Sequence, residues 1–166
     1  MTQYLMGFDY GNKRIGVAVG QTITATARPL TTILIKAQQP DWTQINTLIH
    51  EWQPSKLVVG LPRHADGSDN SITGAVREFC QQLAMRYQLP VETIDETLSS
   101  IAAAEQLKKA KMNRRQEKKR KQKKSNDISH SHISFSPLSL SASLVHRELD
   151  AVAAQIILET WFAQCL

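Results

Sequence analysis

Cysteine is nearly absent from this chain: Cys80 and Cys165 are the only two among 166 residues. Two thiols so far apart form neither a metal-binding pair nor a disulfide framework, so both are expected reduced, Cys80 packed in its helix and Cys165 in the tail. Long apolar runs are missing too. No stretch approaches the roughly 18 residues of a spanning helix, and no basic segment followed by an apolar one opens the chain. A cytoplasmic protein without membrane contact is the expectation. Aromatic residues make up 6% of the chain and fall on helical stripes, where they serve a core better than a base-stacking platform. No internal repeat is visible. A hydrophobic content of 42% over this length supports one compact domain spanning 1–166.

Acids are scarce in one stretch. Lys108 to Lys124 holds eleven Lys or Arg and a single acid, Glu117; its net +10 leaves −5 for the rest of a chain whose total is +5. Eight serines follow between Ser125 and Ser143. Dense like charge and few bulky apolar residues predict a mobile insertion over about 108–148, its basic part extending a helix that begins near Ser99. A basic arm on an acidic body favours contact with a polyanion through counterion release, with Lys118, Lys119, Arg120 and Lys121 as candidate contacts. The run has no interleaved Trp, Phe or Leu to make the apolar face of an interfacial helix.

The remainder alternates strand and helix signals. Apolar runs at Leu5–Phe8, Ile15–Val19 and Leu30–Leu34 predict a β-meander, with Pro29 marking an edge or a bulge. Trp42, Ile45, Leu48, Ile49 and Trp52 predict a helix capped by Asp41 and ending before Pro54. Lys56–Gly60 reads as a buried strand, Ile72 to Leu83 as a second amphipathic helix through Val76, Phe79 and Cys80, and Val91–Ile94 as the last strand. A final helix carries Leu149, Val152, Ala153, Ile156 and Ile157 on one stripe. The sum is an α/β fold with a mixed five-stranded sheet flanked by helices.

Three acids stand at element boundaries. Asp9 ends the first strand, before Gly11 and Asn12, which tolerate positive φ and can reverse the chain tightly. An unpaired carboxylate inside a strand is costly, so it calls for a cation or a proton donor; pinning the turn is the alternative. Glu96 follows the last strand, ahead of Ser99 and Ser100, good helix caps. Asp150 falls in the expected first turn of the final helix, where the helix dipole alone would favour an acid.

Taken together these segments resemble the YqgF (RuvX) family: Asp9-Tyr10-Gly11 with Lys13-Arg14-Ile15-Gly16-Val17-Ala18, Gly60-Leu61-Pro62 with Asp66-Gly67-Ser68, Asp95-Glu96 with Leu98-Ser99-Ser100, and Asp150 with Ala153-Ala154. Four motifs in the same order cover nearly the whole chain outside Lys108 to Leu149. The resemblance implies a ribonuclease H-like fold related to Holliday junction resolvases and a metal-dependent nuclease that matures the 5′ end of pre-16S ribosomal RNA. It implies Asp9, Glu96 and Asp150 as catalytic and metal-holding acids, Mg²⁺ or Mn²⁺ as cofactor, and association with ribosomal precursors. Hydrolysing a phosphodiester needs an activated water and charge neutralisation, and hard carboxylate oxygens suit such ions where His or Cys would favour softer ones.

Two departures from the family stand out. Thr97 occupies a position where the family commonly carries arginine beside the catalytic Glu, so Arg14, Lys13 or the basic insertion must supply phosphate contacts that threonine cannot. The loop after Gly60-Leu61-Pro62 continues as Arg63-His64, giving Arg63 as a further substrate contact and His64 as a solvent or substrate-side residue. The serine-rich segment has no family counterpart. Three other readings compete: a branched-DNA nuclease, a non-catalytic RNA-binding factor, and a member of the actin, Hsp70 and sugar-kinase superfamily, which also uses an Asp-x-Gly hairpin. The last needs two such domains around its nucleotide, and this chain has one hairpin.

Overall fold

The computed structural model describes residues 3–64, 66–95 and 140–165, with backbone alone for 140–147. Six strands and three helices occur among them: β1 (Tyr4–Tyr10), β2 (Arg14–Gln21), β3 (Thr26–Lys36), β4 (Gln39–Pro40), α1 (Trp42–Trp52), β5 (Lys56–Leu61), α2 (Thr73–Tyr87), β6 (Val91–Asp95) and α3 (Leu140–Cys165). The strands form one mixed sheet in the order β4-β3-β2-β1-β5-β6. The meander β1-β2-β3 is antiparallel, while β5 runs parallel to β1 and β6 parallel to β5. Five of these strands are those expected. The sixth, β4, is two residues pairing with Ile35 and Lys36, too short to leave a period in the sequence.

Local chemistry accounts for the boundaries. The Asp41 side chain caps α1 by accepting from the Gln44 amide at 3.3 Å, and Gln53 closes the helix in the left-handed conformation with φ 43°, one residue before Pro54. Asn70 does similar work before α2, its Oδ1 accepting from the Ile72 and Thr73 amides. Between β2 and β3 the register skips Leu30, beside Pro29, so the expected irregularity is a bulge.

Period-2 alternation sorts the sheet residues into two cores. Met6, Phe8, Ile15, Val17, Ile33, Leu57 and Val59 pack under α1 and α2, against Ile45, Val76, Phe79 and Leu83. Leu5, Ala18, Val58 and Ile94 face α3, against Ala154, Ile157, Leu158, Trp161 and Phe162. Asp9 shares the parity of Leu5 and therefore lies on the α3 side.

The final helix differs from expectation in its start and in part of its stripe. It begins at Leu140, so the described part of the anticipated insertion, 140–148, is helical; no Gly or Pro interrupts the chain after Pro137. The rest of that insertion lies outside the described residues, as does the helix expected near Ser99. The buried side of α3 carries Ala151, Ala154, Ile156, Ile157, Leu158, Trp161 and Phe162, so Ile156 and Ile157 of the expected stripe are buried, whereas Val152 and Ala153 are half-buried and Leu149 is 36% exposed. Glycines explain the rotation. A Cβ on Gly7 would meet the Leu158 side chain at 2.5 Å, one on Gly20 the Phe162 ring at 2.8 Å, and one on Gly16 the Asp150 carbonyl oxygen at 1.8 Å. These residues leave a groove in which small helix residues and bare backbone touch the sheet.

Gly16→Ala should therefore lower unfolding free energy by about 3 kcal/mol or more, the severe end of overpacking, because backbone has no side chain to swing away. Gly74, in the first turn of α2, is the control, since a methyl group there would have nothing within 4 Å. Gly74→Ala should be neutral or stabilising by about 0.5–1 kcal/mol. Urea unfolding of both variants measures the difference.

Candidate active site

The hairpin that follows Asp9 fixes it at the carboxyl end of β1. Asp9 pairs with Gly16 and Tyr10 with Ile15, and the Gly11 amide donates to the Arg14 carbonyl at 2.8 Å, while the Ile35 amide donates to the Lys13 carbonyl at 2.9 Å, tying the turn to β3. Neither Gly11 nor Asn12 takes the positive φ anticipated for them. Gly11 is needed for space instead, since a Cβ there would lie 3.0 Å from the Arg14 carbonyl oxygen.

Asp150 arrives opposite Asp9 because its own backbone rests on Gly16, Asp9's pairing partner. It is the eleventh residue of α3, nearly three turns in, so a capping role at the helix start is ruled out for it. The Arg14 guanidinium, on the same sheet face, brings Nε to 2.8 Å from Asp150 Oδ2. That oxygen is buried, and its contact with Arg14 lacks the alignment of a hydrogen bond, so the attraction is electrostatic without a directed bond. Arg14, expected as a phosphate contact, is here engaged with the acid.

Among the described residues Asp9 has no cation of its own. Burial, and secondarily the negative charge of Asp150, push its carboxyl up from an ordinary 3.8 to about 6. A carboxylate held in a position that disfavours its own ionisation, beside a second carboxylate with an unbonded buried oxygen, is a cluster short of positive charge. The carboxyl ends of β1, β5 and β6 lie level, since Phe8 pairs with Val59 and Val59 with Thr93. Crevices outside such strand ends are the usual ligand sites of α/β sheets.

The other anticipated residues divide. Lys13 is exposed at the hairpin tip. Arg63 lies in the loop after β5, bridged through its backbone to Asp69, and its Nε is buried without a partner. The His64 backbone closes a tight turn with Gly67 and Ser68. Glu96, Thr97 and Lys118, Lys119, Arg120 and Lys121 lie outside the described residues, and among the described ones no three His, Cys, Asp or Glu side chains gather into a metal-holding group. Cys80 is half-buried, its thiol pushed up to about 11 by burial, and Cys165 is exposed; both are free. No helix among the described residues is long and apolar enough to cross a membrane. Sequence reasoning missed the Arg14–Asp150 pair and the glycine seat beneath it; the spacing Gly16-x-Ala18-x-Gly20 on one strand face was the available signal.

Comparison with known proteins places the chain in a family. A family model described as "RuvX: Holliday junction resolvase" matches residues 3–128. The chain is 40% identical over 158 residues to "Putative pre-16S rRNA nuclease" of Dechloromonas aromatica (strain RCB), covering 95% of this chain and 89% of that protein. It is 40% identical over 159 residues to the protein of the same name from Legionella pneumophila (strain Paris), covering 96% and 94%. Among solved structures, T. thermophilus RuvC in complex with Holliday junction substrate superposes with a TM-score of 0.50 at 16% identity, covering 98% of this chain and 94% of that one; this likeness bears on the fold, which is that of the RuvC-like, ribonuclease H-like resolvases. With the family motif spread over most of its length and the Asp9 and Asp150 carboxylates converging on one sheet end, the chain belongs to the RuvX family of nucleases.

Proposed function

We propose that this protein is a divalent-metal-dependent endonuclease that hydrolyses phosphodiesters of nucleic acid, with the 5′ end of pre-16S rRNA as substrate. The observation that carries the reading is the Asp9–Asp150 pair: two carboxylates at one strand end, the first with raised proton affinity, the second with a buried oxygen lacking a hydrogen bond. Relatives named as pre-16S rRNA nucleases support the substrate. The family description supports a four-way DNA junction as the second substrate to assay beside it.

Hard carboxylate oxygens fit Mg²⁺ or Mn²⁺, and Asp9 and Asp150, with Glu96 from the segment directly after β6, would hold the ion. When bound, it supplies charge neutralisation for the phosphate and a more acidic water. The chain's own residues do the rest. Gly16 holds Asp150 against the sheet, Arg14 balances Asp150 and is positioned to turn to a phosphate oxygen, and Lys13 offers a mobile positive charge at the hairpin tip. The basic segment Lys108 to Lys124 supplies affinity without sequence reading, and contact with ribosomal precursors in the cytoplasm follows from the same reading.

Asp9→Asn keeps the shape and removes the charge, so it should lower cleavage by ~10² or more while leaving RNA binding intact; cleavage of labelled precursor RNA with Mn²⁺ at the wild-type rate would overturn the role. The raised Asp9 value has a consequence for stability. Between about pH 4 and 6 the folded protein retains a proton that the unfolded chain has released, so without divalent ions stability falls as pH rises through that window, by on the order of 3 kcal/mol. Thermal melts should show this fall in wild type and its absence in Asp9→Asn, with Mn²⁺ at pH 7.5 raising the melting temperature of the wild type alone. Deleting Lys111 to Lys124 should flatten the dependence of log K on log salt by about 0.7 for each phosphate of single-stranded RNA that the arm neutralises, while cleavage at saturating substrate persists; identical slopes would show that the arm does not touch the RNA.

A further inference from the structure

A cavity of about 360 Å³ opens on the sheet face opposite Asp9, between the β1–β2 hairpin, β4 and α2. Its floor is the half-buried ring of Tyr10, backed by Phe79 with ring centroids 4.9 Å apart. The described lining also includes four side-chain amide residues, Asn12, Gln38, Gln39 and Gln82, and one acid, Glu78. The Gln82 amide donates to Glu78 Oε1 at 3.1 Å, and Glu78 acts on the Tyr10 phenol, which burial and, secondarily, this negative charge push above its ordinary value. Among the described residues no Lys or Arg lines it.

We infer that this cavity is a nucleobase subsite, selective for guanine, of the nuclease proposed above. An aromatic floor takes any flat heterocycle by stacking. Side-chain amides both donate and accept, so they fit the edge of any base. The carboxylate only accepts, which favours the base that offers two adjacent donors, N1–H and N2–H of guanine. Glu78, with no cation among the described lining residues, disfavours a phosphate, so the sugar-phosphate backbone stays outside. Position supplies the connection to catalysis. Asp9 and Tyr10 are neighbours at one strand end and project to opposite sheet faces, and Asn12 of the intervening turn lines the cavity. A single strand draped over that hairpin places a phosphate on the Asp9 side while an adjacent unpaired base drops beside Tyr10. Recognition of unstacked single-stranded bases on their Watson–Crick edges is the common mode for RNA.

The inference rests on the nuclease reading, and the test separates the two. Binding of ten-nucleotide single-stranded RNAs to the full chain is measured by fluorescence anisotropy in Ca²⁺, using oligouridine and the same oligomer with one central G or one central A. The wild type should prefer the G oligomer by about fivefold or more, the range of one bidentate base contact. Glu78→Gln should abolish that preference while binding oligouridine as tightly as the wild type or more so, since a repelling charge is gone. Tyr10→Leu should weaken binding of all base-containing oligomers by about fivefold or more, because the stacking surface is removed. Equal affinity of the wild type for the three RNAs, or an unchanged G preference in Glu78→Gln, overturns the subsite and leaves the nuclease reading standing. Failure of the wild type to bind any of them overturns both.

Discussion

Contact between the backbone of α3 and the bare Cα of Gly16 is the constraint on which the rest of this structure depends. The approach is so close that a methyl group would sit 1.8 Å from the Asp150 carbonyl oxygen. It sets the height of the helix on the sheet and its rotation, and it delivers Asp150 to the residue pairing with Asp9. Further along the same helix the constraint relaxes from backbone to side chain, Leu158 lying over Gly7 and Phe162 over Gly20. The far end is tied differently: Trp161 Nε1 donates to Glu92 Oε2 at 2.6 Å, and Lys56 pairs with the same carboxylate while standing over the Trp161 ring. The helix thus sits tightly on the sheet at Asp150, and its far end is latched by a polar cluster that lowers the Glu92 carboxyl below its ordinary range, mainly through the Lys56 contact.

Electrostatics at the tight end run against stability. Asp9 is half-buried and has no opposite charge of its own among the described residues, where Arg14 serves Asp150. Local rules of folding would replace or neutralise such an acid, and sites where they fail tend to be functional. Burial raises proton affinity, and the same burial raises the gain from a divalent cation, because an ion in a poorly solvated site interacts strongly with its ligands.

Much of the sheet was legible in the sequence because strands buried on both faces write short apolar runs bounded by turn residues, and Asp41 and Pro54 frame α1 plainly. Asp9 was legible because an acid breaks such a run. The start of α3 was not: Leu140 to Glu148 follows a serine-rich stretch, and composition there speaks for a loop although its individual residues are compatible with helix. Its buried stripe was legible in part: Ile156 and Ile157 are buried as their period implies, but the groove cut by Gly7, Gly16 and Gly20 brings in Ala151 and Ala154 where the period alone offered Leu149. The Arg14–Asp150 pair joins residues 136 positions apart, beyond any local pattern. The cavity beside Tyr10 is assembled from three separate segments, which no local pattern joins.

The central claim is that Asp9 and Asp150 share a divalent ion. Anomalous X-ray scattering from crystals soaked in Mn²⁺ tests it most directly. The account predicts a manganese peak within coordination distance of both carboxylates, with Arg14 withdrawn from Asp150 Oδ2. Crystals saturated with Mn²⁺ at pH 7.5 that show no peak between these side chains, and the Arg14–Asp150 contact intact, would contradict it.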